Sequence, residues 1–461
     1  MKRRIDDGGA RPGKEESIMP ASLPTGGYHL TREVLMHDLY RAYLDARKHK
    51  RGKHYQIKFE LHLEDNLSAL CDELWNRTYR MQPSKCFIIE DPTIREVFAA
   101  DFRDRIVHHL YYNYTYRMFD QTFIADSYSC RKGKGTLYGV DRIEKHIREE
   151  SQGYTRPCYV LKMDISGYFM HIDRQRLLQL CLDTLRKVAH RKSPVHGRRW
   201  MDITDMDFVE YLTREIVLLN PTEECRLYGR HSDWQRLPSS KSLFCSKEGC
   251  GLPIGNLTSQ VFSNVYMNIF DQWMKREMKC RHYGRYVDDF YVVSTDREWL
   301  CSLVEPAVDF LSSELGLHVN KNKTVIRNAC HGVSFLGCYL KPWRRYVERK
   351  TWKRIKRHLR HEQQYAGVFR LRSVVNSYLG LLRHVRSYSF TKKFFGTLKR
   401  VNALGYITQY KRKLVLSNYT LDTMRVKSYL RMIDDEDYLL SYSDVEIACH
   451  EYVNRYIEKK E

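Results

Sequence analysis

The segment Arg285-Tyr-Val-Asp-Asp-Phe-Tyr-Val-Val293 sets two adjacent carboxylates, Asp288 and Asp289, inside a run of strand-forming residues. Placing charge in such a run is costly unless something compensates it, and a divalent cation is the usual compensation. Aspartates are also common in hairpin turns, so the pair alone is a weak signal. A second acid in matching surroundings strengthens it: Tyr159-Val-Leu-Lys-Met-Asp164 ends another apolar, strand-like run on Asp164. The two loci lie far apart in the chain, so only a fold can unite them. Separated carboxylates with a basic chain and no evident thiol or histidine nucleophile suit nucleotidyl transfer assisted by two magnesium ions. One would activate the attacking hydroxyl and the other stabilise the leaving pyrophosphate. Manganese is the alternative ion. Magnesium needs only a few hard oxygens, because phosphate oxygens complete its shell. On a plain strand Asp288 and Asp289 would face opposite ways, and a tight turn between them lets both approach one edge. Asp164 and Asp288 are expected to bridge the metals, with Asp289 in support and the Ile165 carbonyl as a further ligand.

The elements that must position these acids read as α+β. Apolar residues recur at helical spacing over 31–48 and 62–79, and a helix rich in His and Tyr spans 103–119. The histidines, His108 and His109 among them, are assigned to helix faces and solvent. Residues 86–89 read as a short strand. A basic, glycine-containing loop, Tyr128 to Thr136, could bring backbone N–H groups close to phosphate. The strand ending at Asp164 precedes helices over 174–190 and 203–219, with a basic loop at 191–199 between them. Residues 220–250 read as a polar, irregular insertion. Gly251 to Gln260 opens a helix that runs to about 279. After the Asp-Asp hairpin come a helix at 297–315, strands at 317–326 and 333–340, and mostly basic helices from 350 onward. The domain reading is a flexible leader over 1–27, N-terminal helices and fingers over 28–158, a palm over 159–345 with an insertion at about 191–250, and a basic helical thumb and tail over 346–461.

Composition narrows the partners. Among 461 residues, 78 Lys and Arg face 56 Asp and Glu, a formal net charge of +22. An excess of this size points to a polyanion, most often nucleic acid. Its spread along the chain, denser at Arg344-Arg345, Lys350–Arg360 and Lys392–Arg400, suits a groove better than a basic tail. The 33 tyrosines supply rings that either a core or a stack of single-stranded bases can use. The 13 cysteines show no framework, which suggests reduced thiols and a cytoplasmic location. Cys245 and Cys250 lack a second close Cys/His pair, which speaks against zinc. No apolar stretch reaches membrane-spanning length, so no membrane partner is expected.

Asp164 with Phe169, Gly255 with Ser259, Tyr286-Val-Asp-Asp289, Lys323-Thr324 and Phe335-Leu336-Gly337 follow one another in an order that resembles the motifs of a reverse transcriptase palm. Arg95 to Arg105 and Tyr128 to Gly135 resemble the finger motifs before it. Ile254-Gly-Asn-Leu-Thr-Ser-Gln260, preceded by Trp234 and Leu237-Pro-Ser-Ser-Lys-Ser-Leu-Phe244, is similar to the reverse transcriptases of diversity-generating retroelements, themselves related to group II intron enzymes. The resemblance implies a right-hand polymerase with fingers, an antiparallel palm and a helical thumb. It implies copying of a template-repeat RNA into cDNA with low fidelity at adenines, for mutagenic retrohoming into a variable gene segment. Its partners would be template RNA, the cDNA/RNA duplex, dNTPs and a small basic helical accessory protein that forms a pentamer. Asp434 to Asp437 is one acidic candidate for docking that protein, with a solvated tail as the other reading.

By the same resemblance, Asp164, Asp288 and Asp289 are catalytic. Arg131 and Lys132 would hold the triphosphate, and Phe169 would lie under the sugar and exclude a 2′-hydroxyl. Ile254, Gly255, Ser259 and Gln260 would line the templating base pair. Lys323 would neutralise the leaving pyrophosphate, and Phe335, Leu336 and Gly337 would form the primer grip. Ile254 stands where related enzymes carry Gln, and loss of that amide would loosen pairing geometry. Two rivals stand beside this reading: a group II intron-like or retron-like enzyme, and a polymerase-fold ribonucleoprotein scaffold without catalysis.

Overall fold

The computed structural model describes residues 28–48, 53–90, 93–408, 413–417 and 420. The expected leader and the stretch from Asp434 to Asp437 lie outside the described residues. Strands that bear on the site are β1 (Ser84–Ile89), β2 (Arg95–Ala99), β3 (Tyr159–Ser166), β4 (Cys225–Tyr228), β5 (His282–Tyr286), β6 (Asp289–Ser294), β7 (His318–Val319), β8 (Val325–Asn328), β9 (Val333–Phe335), β10 (Cys338–Lys341) and β11 (Arg344–Val347). The described residues divide into two compact units: those within 1–131, 165–279 and 307–319 form one, and those within 132–164, 280–306 and 320–461 form the other. Among the described residues no helix is long and apolar enough to cross a membrane.

In the first unit the helix Phe102–Asp120 is buried on most sides, because the helices Arg32–Arg47, Arg174–Ala189, Met206–Leu218 and Leu257–Arg276 pack around it. Side chains cap the starts of three of these: Thr31 Oγ1 accepts from Val34 N, and the Asp173 and Asp205 carboxylates accept from Arg176 N and Phe208 N. His108 is a correction to the solvent assignment. It is 2% exposed, its Nδ1 lies 2.9 Å from Thr258 Oγ1, and burial pushes its imidazole down to about 3, so it is neutral. The helix expected over 62–79 stops at Trp75, because the chain turns through a left-handed Arg77 and sends Thr78 N back to Glu73 O. The insertion is more regular than its polar sequence suggests. Its β4 pairs in parallel with β1, while β1 and β2 form an antiparallel hairpin. A pairing so distant in sequence has no local signature.

The second unit holds the sheet β5–β6–β3–β8, antiparallel throughout. Its centre is built of β-branched and aromatic residues, with Val160, Leu161, Tyr283, Phe290, Tyr291 and Val292 buried. The helix Thr136–Glu150, to which the sequence reading assigned no element, packs on β5 and β6 through Val140, Ile143 and Ile147. A second sheet, β9–β10–β11, follows. Its first turn is Leu336-Gly337, both at positive φ as a type I′ hairpin requires. Beyond it, the helix Arg349–Tyr365 buries Ile355 and Leu359 against the helix Val368–Leu382, leaving Lys353, Arg357 and Arg360 exposed. The expected α+β class with antiparallel sheets is what the structure has.

Gly255 shows how closely the first unit is packed. Its φ is +131°, and an added Cβ would lie 2.7 Å from Phe98 O. Gly255→Ala is expected to destabilise by about 2–3 kcal/mol through backbone strain and overpacking, read as a lowered denaturation midpoint.

Candidate active site

β6 brings the acids together. Asp289 lies directly opposite Asp164 of β3 in an antiparallel register, so the two side chains share one face of the sheet. Tyr286 and Asp289 close the β5–β6 hairpin, which leaves Val287 and Asp288 as its two-residue loop. Only Val287 of these two has positive φ, at 57°. That is the pattern of a II′ turn, whose first central position favours glycine. A β-branched residue there is strained by about 1–3 kcal/mol, and such strain clusters at functional turns. Buried Arg285, 1% exposed, donates from Nη1 to Val287 O at 2.9 Å and so holds the turn from inside the unit.

Like charges directly opposite on a sheet repel. Two lysines offset this. Lys162 Nζ lies 3.3 Å from Asp289 Oδ2, and Lys323 Nζ donates to Asp164 Oδ2 at 2.8 Å. Lys323 is presented by the 3₁₀ turn Lys321–Lys323, which is tied to β3 by Asn320 N donating to Asp164 O at 2.8 Å. Desolvation lowers the Lys323 ammonium, but its bond to Asp164 and the nearby Asp288 and Asp289 outweigh this and raise it. Among the described residues no lysine is bonded to Asp288. Desolvation and then the Asp164 charge push it up to about 6, and the Lys323 charge opposes this rise only weakly. Asp289 also rises to about 6 through desolvation, which Lys162 opposes.

Among the described residues no three His, Cys, Asp or Glu side chains gather tightly enough to cage a metal by themselves. Magnesium does not require such a cage, since it binds through one or two carboxylates and takes its remaining oxygens from substrate and water. Three carboxylates facing two ammonium groups leave negative charge over, and all the side-chain donors are hard oxygens. The residues present therefore fit the ion by their chemistry.

Sequence reasoning missed Lys162 and Arg285. Lys162 was legible two residues before Asp164, on the same face of an apolar strand. Arg285, a cation beside the Asp-Asp run, was given no role from the sequence and is fully buried. Lys162 also stands over the Phe335 ring at 5.4 Å, and that ring packs edge-on against Tyr291 at 5.1 Å. The Phe335 side chain, expected at the primer, is 1% exposed, and the Leu336-Gly337 turn beside it is half-buried. Lys132 is exposed.

The other expected residues lie in the first unit. Arg131 departs from the expected role. Its guanidinium, 7% exposed, pairs with Asp120 Oδ1 at 2.6 Å and donates to the carbonyls of Asp120, Ile124 and Ser127, so it closes the end of the helix Phe102–Asp120. Phe169 sits half-buried in the short helix Tyr168–His171. Ile165 pairs with Val319 of β7. Ile254 is half-buried against an apolar cluster, Gly255 and Gln260 are exposed, and Ser259 is buried at the start of the helix Leu257–Arg276.

Raised carboxylates make a signed prediction. Above its unfolded pKa the unfolded chain ionises Asp288 freely, while the folded chain resists until about pH 6. The stability present at pH 4 is therefore lost as pH rises through 6. In metal-free protein Asp288→Asn is expected to raise the melting temperature by about 3 °C at pH 7.5 and to leave it unchanged near pH 4. Equal effects at both values would show that this carboxylate is not strained by its surroundings.

The model of the family described as reverse transcriptase (RNA-dependent DNA polymerase) matches residues 90–340. No curated protein matches the chain. Solved structures similar to it include apo telomerase from Candida tropicalis truncated from the C-terminal domain, at 15% identity and TM-score 0.39, covering 58% of this chain and 55% of that one. Telomerase from Candida albicans in complex with a TWJ fragment of telomeric RNA has 12% identity and TM-score 0.41, covering 79% and 62%. Apo telomerase from Candida tropicalis has 12% identity and TM-score 0.42, covering 80% and 69%. The chain thus spans little more than half the length of the first of these. The family match takes in more than half of the chain, Asp164, the Asp288–Asp289 turn and Lys323 included, and the protein belongs to the reverse transcriptase family, whose right-hand polymerase fold agrees with its antiparallel sheets.

Proposed function

We propose that this chain is an RNA-directed DNA polymerase that copies a template-repeat RNA into cDNA with low fidelity at adenines, for mutagenic retrohoming into a variable gene segment. The observation that carries the polymerase reading is the register of β3 on β6, which sets Asp164 opposite Asp289 with Asp288 on the adjoining turn. The narrower reading rests on the Ile254 to Gln260 motif and on the Trp234 to Phe244 stretch before it.

Asp164, Asp288 and Asp289, with the Ile165 carbonyl, would hold magnesium, which supplies a more acidic primer hydroxyl and charge balance for the triphosphate. Lys323 would neutralise or protonate the departing pyrophosphate. Lys162, 3.3 Å from Asp289 Oδ2, favours its ionised form against desolvation. Lys132 would reach the triphosphate; Arg131, with its donors committed elsewhere, would shape the loop that carries it. Phe169 would bar a 2′-hydroxyl, and Ile254, Gly255, Ser259 and Gln260 would line the templating pair. Leu336 and Gly337, backed by Phe335, would grip the primer. The exposed cations of the helix Arg349–Tyr365 suit a duplex backbone. Template RNA, the cDNA/RNA duplex, dNTPs and a small basic pentameric accessory protein are the proposed partners.

Primer extension on an RNA template tests the polymerase reading. Asp288→Ala is expected to lower extension by about a thousandfold or more with RNA binding retained. A wild type that fails to extend while binding RNA normally would favour the scaffold reading. Ile254→Gln is expected to cut misincorporation opposite adenine by about tenfold, scored by sequencing the cDNA. Unchanged errors would remove Ile254 from the fidelity account.

A further inference from the structure

Glu96 of β2 is a carboxylate only 1% exposed. Its partners all come from the insertion: Trp234 Nε1 and Ser242 Oγ donate to Oε1 at 3.0 Å each, and Leu243 N donates to Oε2 at 2.6 Å. Three donors on one buried anion make a strong, directional latch. The insertion needs one. Over 220–250 its described elements are the four-residue β4, a five-residue helix and two 3₁₀ turns, too short to enclose a core of their own.

What the latch holds is informative. Leu243 joins Cys86, Phe98 and Met170 in one apolar cluster, and Phe169, Trp234 and Ile254 pack against it. The insertion also reaches the turn before Phe169, where Ser240 O stands 2.9 Å from the position a Cβ would take on left-handed Gly167. The backbone closes the set: Leu252 N donates to Phe169 O at 2.8 Å, and Phe98 N donates to Ile254 O at 2.9 Å. Two residues assigned above to substrate selection therefore share a wall with two residues of the insertion.

We infer that the insertion, latched by Glu96 through Trp234 and Leu243, is a specificity-determining element that sets the position of Phe169 and so the discrimination between deoxyribo- and ribonucleotides. This rests on the reading of Phe169 as the group beneath the sugar. Glu96 and Trp234 are positioning residues. They act through the cluster, and small displacements of a group that must touch a single hydroxyl cost selectivity before they cost turnover.

The test is single-nucleotide insertion by the full chain on a primed RNA template, comparing kcat/KM for dCTP and CTP. Trp234→Phe keeps a ring and removes the indole donor; Glu96→Gln removes the charge. Each is expected to lower the dCTP:CTP preference about tenfold while kcat for dCTP stays within about twofold of wild type. A folded Trp234→Phe protein with the wild-type preference, or one that loses both substrates in equal proportion, overturns the inference. Thermal melts establish folding, and if Glu96→Gln does not fold, Trp234→Phe decides. Phe169→Val separates the two readings. If it leaves the preference unchanged, the role of Phe169 falls and the inference with it. If it abolishes the preference while Trp234→Phe does not, only the latch falls.

Discussion

Everything at the candidate active site depends on holding three carboxylates close together against their own repulsion. The antiparallel register of β3 and β6 forces Asp164 and Asp289 into direct opposition, and the hairpin turn adds Asp288. Backbone hydrogen bonds along the paired strands β3 and β6 supply the rigidity. Lys162 and Lys323 offset part of the charge from either side, and Arg285 holds the carbonyl of a turn residue whose backbone is strained. The negative charge left over is what a divalent ion would offset, so the features that make the fold locally unfavourable are those that suit it to holding such an ion.

The same logic of a buried ion tied by several donors recurs in the first unit. Glu96 joins a hairpin to an insertion that pairs with it through β4. Arg131, expected at substrate, closes a helix end instead. A charge in a motif region can thus serve the scaffold as readily as the chemistry. Its hydrogen-bond partners distinguish the two: Glu96 and Arg131 point at backbone and side chains of their own unit, whereas Lys323, largely exposed, reaches Asp164 from the solvent side.

Much of the fold was legible where local physics decides it. Helical periodicity marked Arg32–Arg47, Phe102–Asp120 and Arg174–Ala189, and β-branched and aromatic runs marked β3 and β6. The insertion was not legible as structure, because β4 owes its existence to β1, far away in the chain. His108 was misplaced because a histidine inside a mixed aromatic helix carries no sign of which neighbours will cover it.

The sequence alone determined the chemistry on offer: hard carboxylate oxygens at two loci, a basic chain for a polyanion, and motifs in the order of a polymerase family. Tertiary structure alone decided which charges stay at the surface and which are spent inside. Strand register brought Asp164 to Asp289, and packing buried Arg285, Glu96 and Arg131. The reason is that residue type sets what a side chain can bond, whereas register and burial depend on contacts between segments that sequence spacing does not encode.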